Sequence, residues 1–241
     1  MPIRILPSNL VNQIAAGEVV ERPASVVKEL VENAIDAGAA SIEVRLNEGG
    51  KTLITVTDNG KGMSREELEL AVERHATSKL PDDNLFNINF LGFRGEALPS
   101  IASVARLTII SRTADEDSAW KIEVNGGEKS KVAPAAQACG TRIEVRDLFY
   151  ATPARLKFLK TAAAEAAQCS DILQRIALAN PGVAFSLYEN DKKKFSLPIC
   201  NGDLFDARLE RISAVLGREF GENSILIAAE RESVKISGYV S

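Results

Sequence analysis

An α+β fold is what this sequence predicts, with helices beside mostly antiparallel strands. Three observations predict it. Stretches of helical apolar period occur along the chain together with strand-like runs rich in β-branched residues. Neighbouring strand-like runs are joined by short turn signals, Asn47-Glu48-Gly49-Gly50 first among them, which favours hairpins. The order is helices plus hairpin-linked strands, which argues against a doubly wound parallel sheet.

In chain order, Ala24–Ile35 reads as a helix. Pro23 suits its first turn, and Val26, Val27, Leu30, Val31, Ala34 and Ile35 form one apolar stripe. Ala37-Gly38-Ala39 ends it, and strands are expected over Ser41–Leu46 and Thr52–Thr57. Ser64 with Glu67 makes a capping box for a helix running to about Ala76. Thr77 to Arg94 has no regular period, and a loop of that length is often a functional lid. Glu96 to Val104 is read as a helix, and Leu107–Ser111, Trp120–Val124 and Thr141–Val145 as strands. Ala151-Thr152-Pro153 is a turn. A strong helical pattern spans Ala162–Ala179 and stops at Asn180-Pro181-Gly182. Val183–Tyr188 reads as a strand, turned around by Lys192-Lys193-Lys194. A boundary is expected near Asn201-Gly202-Asp203, which divides the chain into residues 1–203 and 204–241. The second part, with a helix over Leu204–Leu216 and strands over Ser224–Ile227 and Val234–Tyr239, is too short for a core of its own and reads as the beginning of a second domain.

Composition removes several function classes. The 241 residues are 45% hydrophobic and 26% charged, which suits a globular protein with a substantial core. Aromatics make up only 5%, too few for a base-stacking platform. A formal net charge of -4 means that any binding to phosphate backbones rests on local patches and is salt-sensitive. Arg155, Lys157 and Lys160 form such a cluster, although a solvated face explains it equally well. Cys139, Cys169 and Cys200 are odd in number and far apart, which argues against disulfides and zinc. No apolar run approaches the ~20 residues of a membrane helix. The opening MPIRILPSNL lacks the shape of a signal peptide. A cytoplasmic protein is expected.

Two familiar nucleotide motifs fail. Gly49-Gly50-Lys51-Thr52 resembles the end of a P-loop, but the required earlier glycine falls at Arg45. Gly60 and Gly62 begin a dinucleotide pattern whose third glycine falls at Arg65. Three other stretches carry more. On the polar face of the first predicted helix, Glu29 and Asn33 stack one turn apart, which suits a carboxylate base beside an oxygen ligand for Mg²⁺. A solvated helix surface has the same pattern. Asp58-Asn59-Gly60-Lys61-Gly62 joins a strand to a capped helix, where a ligand can approach the backbone and an aspartate can accept from an exocyclic amine. An Asn-Gly hairpin turn is the alternative. Leu91 to Leu98 places Gly92 and Gly95 before a helix start, whose free N–H groups attract phosphate, as an ordinary capped loop would also look.

Taken in order, Glu29-Leu30-Val31-Glu32-Asn33, Asp58-Asn59-Gly60-Lys61-Gly62, Gly92-Phe93-Arg94-Gly95-Glu96-Ala97-Leu98 and Gly140-Thr141 resemble the four ATP-site motifs of the GHKL superfamily. Asn12 to Val20, Arg74-His75-Ala76-Thr77-Ser78-Lys79 and Thr152-Pro153-Ala154-Arg155 resemble the MutL family of DNA mismatch-repair proteins in particular. The resemblance is close over residues 1 to 200.

The resemblance implies a Bergerat two-layer α/β sandwich with a mixed, mainly antiparallel sheet, followed by a second α/β domain of a kind also found in a ribosomal protein. It implies ATP and Mg²⁺ as cofactors, and ATP hydrolysis as the activity. Glu29 would be the general base and Asn33 the Mg²⁺ ligand. Asp58 would take the adenine amino group, with Gly60 and Gly62 letting the base approach. Gly92, Phe93, Arg94, Gly95, Glu96, Ala97 and Leu98 would cradle the phosphates, and Thr77, Ser78 and Lys79 would close over them. Thr141 would support the adenine end. His75, the single histidine, is given a structural or lid-packing role. Implied partners are a MutS-type mismatch sensor, a downstream endonuclease or helicase, DNA bound without sequence preference, and a second copy of the chain, with Ile3 to Val20 as the arm that crosses to it. Association with the nucleoid during repair follows. In the family the second domain supplies a lysine to the γ-phosphate, and none is identified before Ser241. A weakly active, monomeric nucleotide-binding fragment is therefore the alternative reading. A histidine kinase would need a phospho-accepting histidine on a dimerising helix, and a topoisomerase subunit a long transducer segment.

Overall fold

The computed structural model describes residues 3–79, 90–92, 95–202, 204–232 and 234–241. Helices α1 (Ser8–Val19) and α2 (Pro23–Asp36) come first, then strands β1 (Ser41–Asn47) and β2 (Leu53–Asp58). Helices α3 (Arg65–Ala71) and α4 (Ala97–Val104) precede β3 (Arg106–Arg112), β4 (Ala119–Asn125), β5 (Glu128–Lys129), β6 (Ala133–Ala135) and β7 (Gly140–Arg146). A 3-10 turn at Pro153–Phe158 leads into α5 (Ala162–Ala179), β8 (Ala184–Glu189) and β9 (Lys192–Leu197). Finally come α6 (Leu204–Leu216), α7 (Arg218–Asn223), β10 (Ile225–Arg231) and β11 (Val234–Val240).

The main sheet runs β5-β4-β3-β7-β2-β1-β8-β9, with β6 also on β4. Among the described residues its one parallel pairing is β1 with β8, so the sheet is mixed and mainly antiparallel, as expected. Alternation along the strands fixes the inner face. Ile42, Val44 and Leu46 of β1, Ile54 and Val56 of β2, Ile143 and Val145 of β7, and Leu107 and Ile109 of β3 are all buried there. Helix α2 lays its stripe of Val26, Val27, Leu30, Val31 and Ala34 into the same core. Burying such a side chain contributes about 1.5–3 kcal/mol, which places α2 firmly and leaves Lys28, Glu29, Glu32 and Asn33 along its half-buried edge.

One row of the inner face breaks the apolar pattern. The register aligns Asp58 with Thr141 and Thr141 with Ser111, and all three are buried. A polar row at the end of an apolar face is costly to bury without partners, and it marks where the site lies.

Several elements differ from expectation. Helix α1 has no strong stripe, since Val11 and Ile14 are exposed while Ala16 is buried. The helix opened by Ser64 keeps its capping box but ends at Ala71, well before Ala76, and His75 beyond it sits at φ 62. The turn before β9 is made by Asn190 and Asp191, at φ 47 and 61, so Lys192-Lys193-Lys194 lies in the strand and does not turn the chain. The short strands β5 and β6 and helix α7 carry too little periodicity to be read. Helix α6 is pinned to the first body by Arg211, whose fully buried guanidinium donates to the carbonyls of Pro181, Val183 and Pro198 at 3.1, 2.9 and 2.6 Å. Strands β10 and β11 pair only with each other among the described residues. No described helix is long and apolar enough to cross a membrane.

Candidate functional site

A cleft of about 810 Å³ opens between the polar edge of α2, the polar row of the sheet, and the segments that flank residues 80–89. Of the residues singled out by sequence, Glu29, Asn33, Asp58, Gly62, Thr77, Ser78, Lys79, Gly92, Gly95, Glu96, Ala97, Leu98 and Thr141 all line it. Gly60 stands just behind the wall and donates its N–H to Asp58 Oδ1 at 2.8 Å. Phe93 and Arg94 lie outside the described residues.

The polar row forms one end. Burial pushes the Asp58 carboxyl above its ordinary range, and backbone N–H groups of Gly60 and Thr141 pull it partly back. Behind it, Ser111 is completely buried. Its Oγ lies 2.9 Å from Thr141 Oγ1 and 3.1 Å from the Gly140 carbonyl, and it accepts from Met63 N–H at 2.8 Å. Ser111 thereby ties the Gly62-Met63 turn to Thr141. The sequence reading missed it, because a serine in a strand gives no signal until the register places it beside Thr141. The turn also depends on its glycines. Gly62 at φ 72 and Gly140 at φ 116 would each put a Cβ 2.1 Å from a backbone oxygen, of Arg112 and Asp58 respectively. Asn59 Oδ1 accepts from Ala40 and Ser41 N–H at 2.9 and 2.8 Å and anchors the turn to the start of β1.

Helix α2 forms the other wall. Lys28 Nζ pairs with Glu32 at 2.8 Å and lies 3.4 Å from Glu29 Oε1, whose side chain is 29% exposed. Glu29 is thus reachable from solvent and held toward the cleft. One turn on, Asn33 Oδ1 accepts from Lys79 Nζ at 2.7 Å. The same ammonium lies 2.6 Å from Asp36 Oδ2. Asp36 also accepts from Leu91 and Gly92 N–H at 3.0 and 3.2 Å. Asp36 belongs to the polar face of the same helix as Glu29 and Asn33. Its signal was its position, one turn beyond Asn33 on the same face.

The start of α4 forms the third wall. Gly95 at φ 62 passes so close to Ala76 that a Cβ would stand 2.5 Å from its carbonyl. Glu96 pairs with His75 Nδ1 at 2.8 Å and faces Arg74 at 3.6 Å. Arg74 and Ser103 both reach the Asn12 carbonyl, and the end of α1 contributes Glu18 and Val19 to the cleft. In the basic cluster, Arg155 turns inward to the Gly17 carbonyl and the Phe149 ring. Among the described residues no group of three or more His, Cys, Asp or Glu side chains is placed to hold a metal ion alone. A cleft with a buried acceptor at one end, and with hard oxygens, a carboxylate and glycine backbone at the other, suits a nucleotide whose phosphates bring most of a metal's ligands.

Residues 21–147 match the family described as histidine kinase-, DNA gyrase B-, and HSP90-like ATPase. The chain is 61% identical over 239 residues to the DNA mismatch repair protein MutL of Paramagnetospirillum magneticum, covering 99% of this chain and 39% of that protein. It is 57% identical to the MutL of Rhodospirillum rubrum, covering all of this chain and 38% of that one. It therefore spans about two fifths of these relatives. Among solved structures, the Aquifex aeolicus MutL ATPase domain complexed with ADP superposes with a TM-score of 0.74 at 32% identity, covering 92% of this chain and 78% of that one.

Proposed function

The chain belongs to the histidine kinase-, DNA gyrase B- and HSP90-like ATPases, in the MutL family, and from that premise we propose that it binds and hydrolyses ATP in this cleft as a switch of DNA mismatch repair. The observation that carries the reading is Asp58. It is a buried carboxylate, held by Gly60, in the wall of the cleft that also receives Glu29 and Asn33 from α2. A carboxylate only accepts hydrogen bonds, so it selects the amino group of adenine and repels the carbonyl that guanine presents there.

The remaining roles follow from position. Gly60 and Gly62 let the turn that the base approaches run close against Ala37 and Arg112, and Thr141, steadied by Ser111, supports the same end. Gly92, Gly95 and the first residues of α4, with Phe93 and Arg94 between them in sequence, receive the phosphates, and Thr77, Ser78 and Lys79 close over them. Glu29 accepts the proton of the attacking water and orients it. The Mg²⁺ requirement is met at Asn33. Its amide oxygen accepts from the Lys79 ammonium, a contact that supports reading it as the oxygen offered to a cation. When bound, Mg²⁺ neutralises phosphate charge and draws electrons from the bond that breaks.

In the whole protein the switch is a nucleotide-driven association of two amino-terminal parts. The exposed Ile3, Ile5, Val11 and Ile14 at the beginning of the chain support this reading. Residues 1–203 form the ATP-binding domain, and 204–241 open a second domain. The cycle couples a MutS-type sensor to an endonuclease or helicase on non-specifically held DNA in the cytoplasm.

The test is ATP binding and hydrolysis with Mg²⁺, beside Glu29→Ala. Binding in both proteins with turnover only in the parent supports the reading. Binding without turnover in either makes the chain a nucleotide-binding module, and no adenine-nucleotide binding at all refutes the assignment.

A further inference from the structure

We propose that Asp36 is a positioning residue that seats the Lys79 ammonium on Asn33 Oδ1, so that Lys79 and a divalent cation compete for the same oxygen. The inference rests on the ATP reading of the cleft for the second cation. The competition itself is a matter of geometry.

Lys79 Nζ lies 2.7 Å from Asn33 Oδ1 and 2.6 Å from Asp36 Oδ2. Both are short, charge-assisted contacts. The pair is sheltered, with Lys79 and Asp36 side chains only 18% and 7% exposed. A shielded pair is screened less than a surface pair and is correspondingly harder to separate. The same carboxylate also holds Leu91 and Gly92 by their N–H groups. One carboxylate therefore fixes both the lysine and the backbone that enters the phosphate loop.

Asn33 is neutral, and its Oδ1 is the atom a hard cation would use. Two cations cannot share it at contact distance without strong repulsion. Arrival of the divalent ion evicts Lys79, whose ammonium is then free to meet phosphate, while Asp36 keeps the Leu91-Gly92 backbone in place. Nucleotide binding thus becomes dependent on the metal through a displaced side chain as well as through the metal's own bonds to phosphate. Without metal, the nucleotide must draw Lys79 away from Asp36 by itself.

The competition is tested without nucleotide by Mn²⁺ binding, read from the loss of the free-ion EPR signal. Lys79→Met is expected to bind Mn²⁺ at least tenfold tighter than the parent. Lys28→Met, which removes another ammonium from the same cleft, is expected to gain much less. Equal affinity in Lys79→Met and the parent, or an equal gain in Lys28→Met, overturns the proposal. The positioning role is tested with Asp36→Asn, which keeps an acceptor for Leu91 and whose folding is checked by thermal melting. The ratio of ATP Kd without metal to that with Mg²⁺ is expected to shrink at least threefold, because metal-free affinity rises. A residue that only supported the fold would lower affinity in both conditions. An unchanged or larger ratio overturns the positioning role. If the parent binds no adenine nucleotide, the ATP reading fails, and the Mn²⁺ comparison still decides the competition.

Discussion

Asp58 carries opposed demands, and these can be separated by substitution. Its carboxyl is raised by burial. Since its folded value lies above the unfolded one, its contribution to stability is fully present below the unfolded carboxylate range. That contribution is lost as pH rises through the folded value. At neutral pH the nucleotide-free protein therefore carries a destabilising buried charge. Asp58→Asn keeps an acceptor for Gly60 N–H and removes the charge. The variant is expected to melt higher than the parent at pH 7, with the gap closing as the pH is lowered, while its affinity for ATP falls at least tenfold. Melting curves across pH, beside nucleotide titration, check both halves, and a lower melting temperature at pH 7 contradicts the account. Ser111 makes the complementary case. Ser111→Ala leaves Met63 N–H and Thr141 Oγ1 without their buried partner, a loss of about 1–3 kcal/mol. ATP affinity should drop with it, while turnover at saturating ATP stays near that of the parent. An equal drop in both would place Ser111 in the chemistry and not behind the base.

At the scale of elements, what the sequence made legible was whatever repeats locally. The stripe of α2, the capping box of α3 and the Gly49-Gly50 turn each hold their whole signal within a few residues, and each appears where expected. Glu29, Asn33 and Asp58, which line the cleft, were singled out for the same reason. Signals spread over distance were not. Ser111 and Thr141 meet only through strand register, and Asp36 gains its meaning from Lys79 and Leu91, 43 and 55 positions away. Helix α1 hides its buried side behind exposed apolar residues that a lone helix would not display. The cap of α3 offers a direct check. Ser64 Oγ accepts from Glu67 N–H, and Glu67 Oε2 accepts from Ser64 N–H at 2.9 Å. Ser64→Ala is expected to cost about 1 kcal/mol, read as a lower melting temperature with ATP binding retained, since α3 borders the cleft but holds none of the polar row.

For the molecule as a whole, Arg211 and the cleft set two separate tests of cohesion. Arg211 is fully buried on α6 and donates to three carbonyls from the first body, so it is the polar fastening of α6 beside the apolar packing of Ala207 and Val215. Replacing it with methionine leaves three carbonyls short of a donor. Hydrogen exchange should then accelerate in α6, while protection of α2 and ATP affinity are kept, because none of the cleft walls contacts that joint. The cleft couples to the rest differently, since α2, the central strands and α4 all contribute to it and to the core. A ligand seated there stabilises the common core. At nucleotide one hundred times above its Kd, linkage stabilises the folded state by about 2.7 kcal/mol. For a protein of this size each kcal/mol moves the midpoint by about 2–4 °C. Saturating ATP with Mg²⁺ is therefore expected to raise the melting temperature by about 5–10 °C. GTP should raise it far less, because Asp58 repels its base carbonyl, and Asp58→Asn should lose most of the ATP shift. Equal shifts with ATP and GTP would remove Asp58 as the determinant of the base, and with it the observation on which the nucleotide assignment stands.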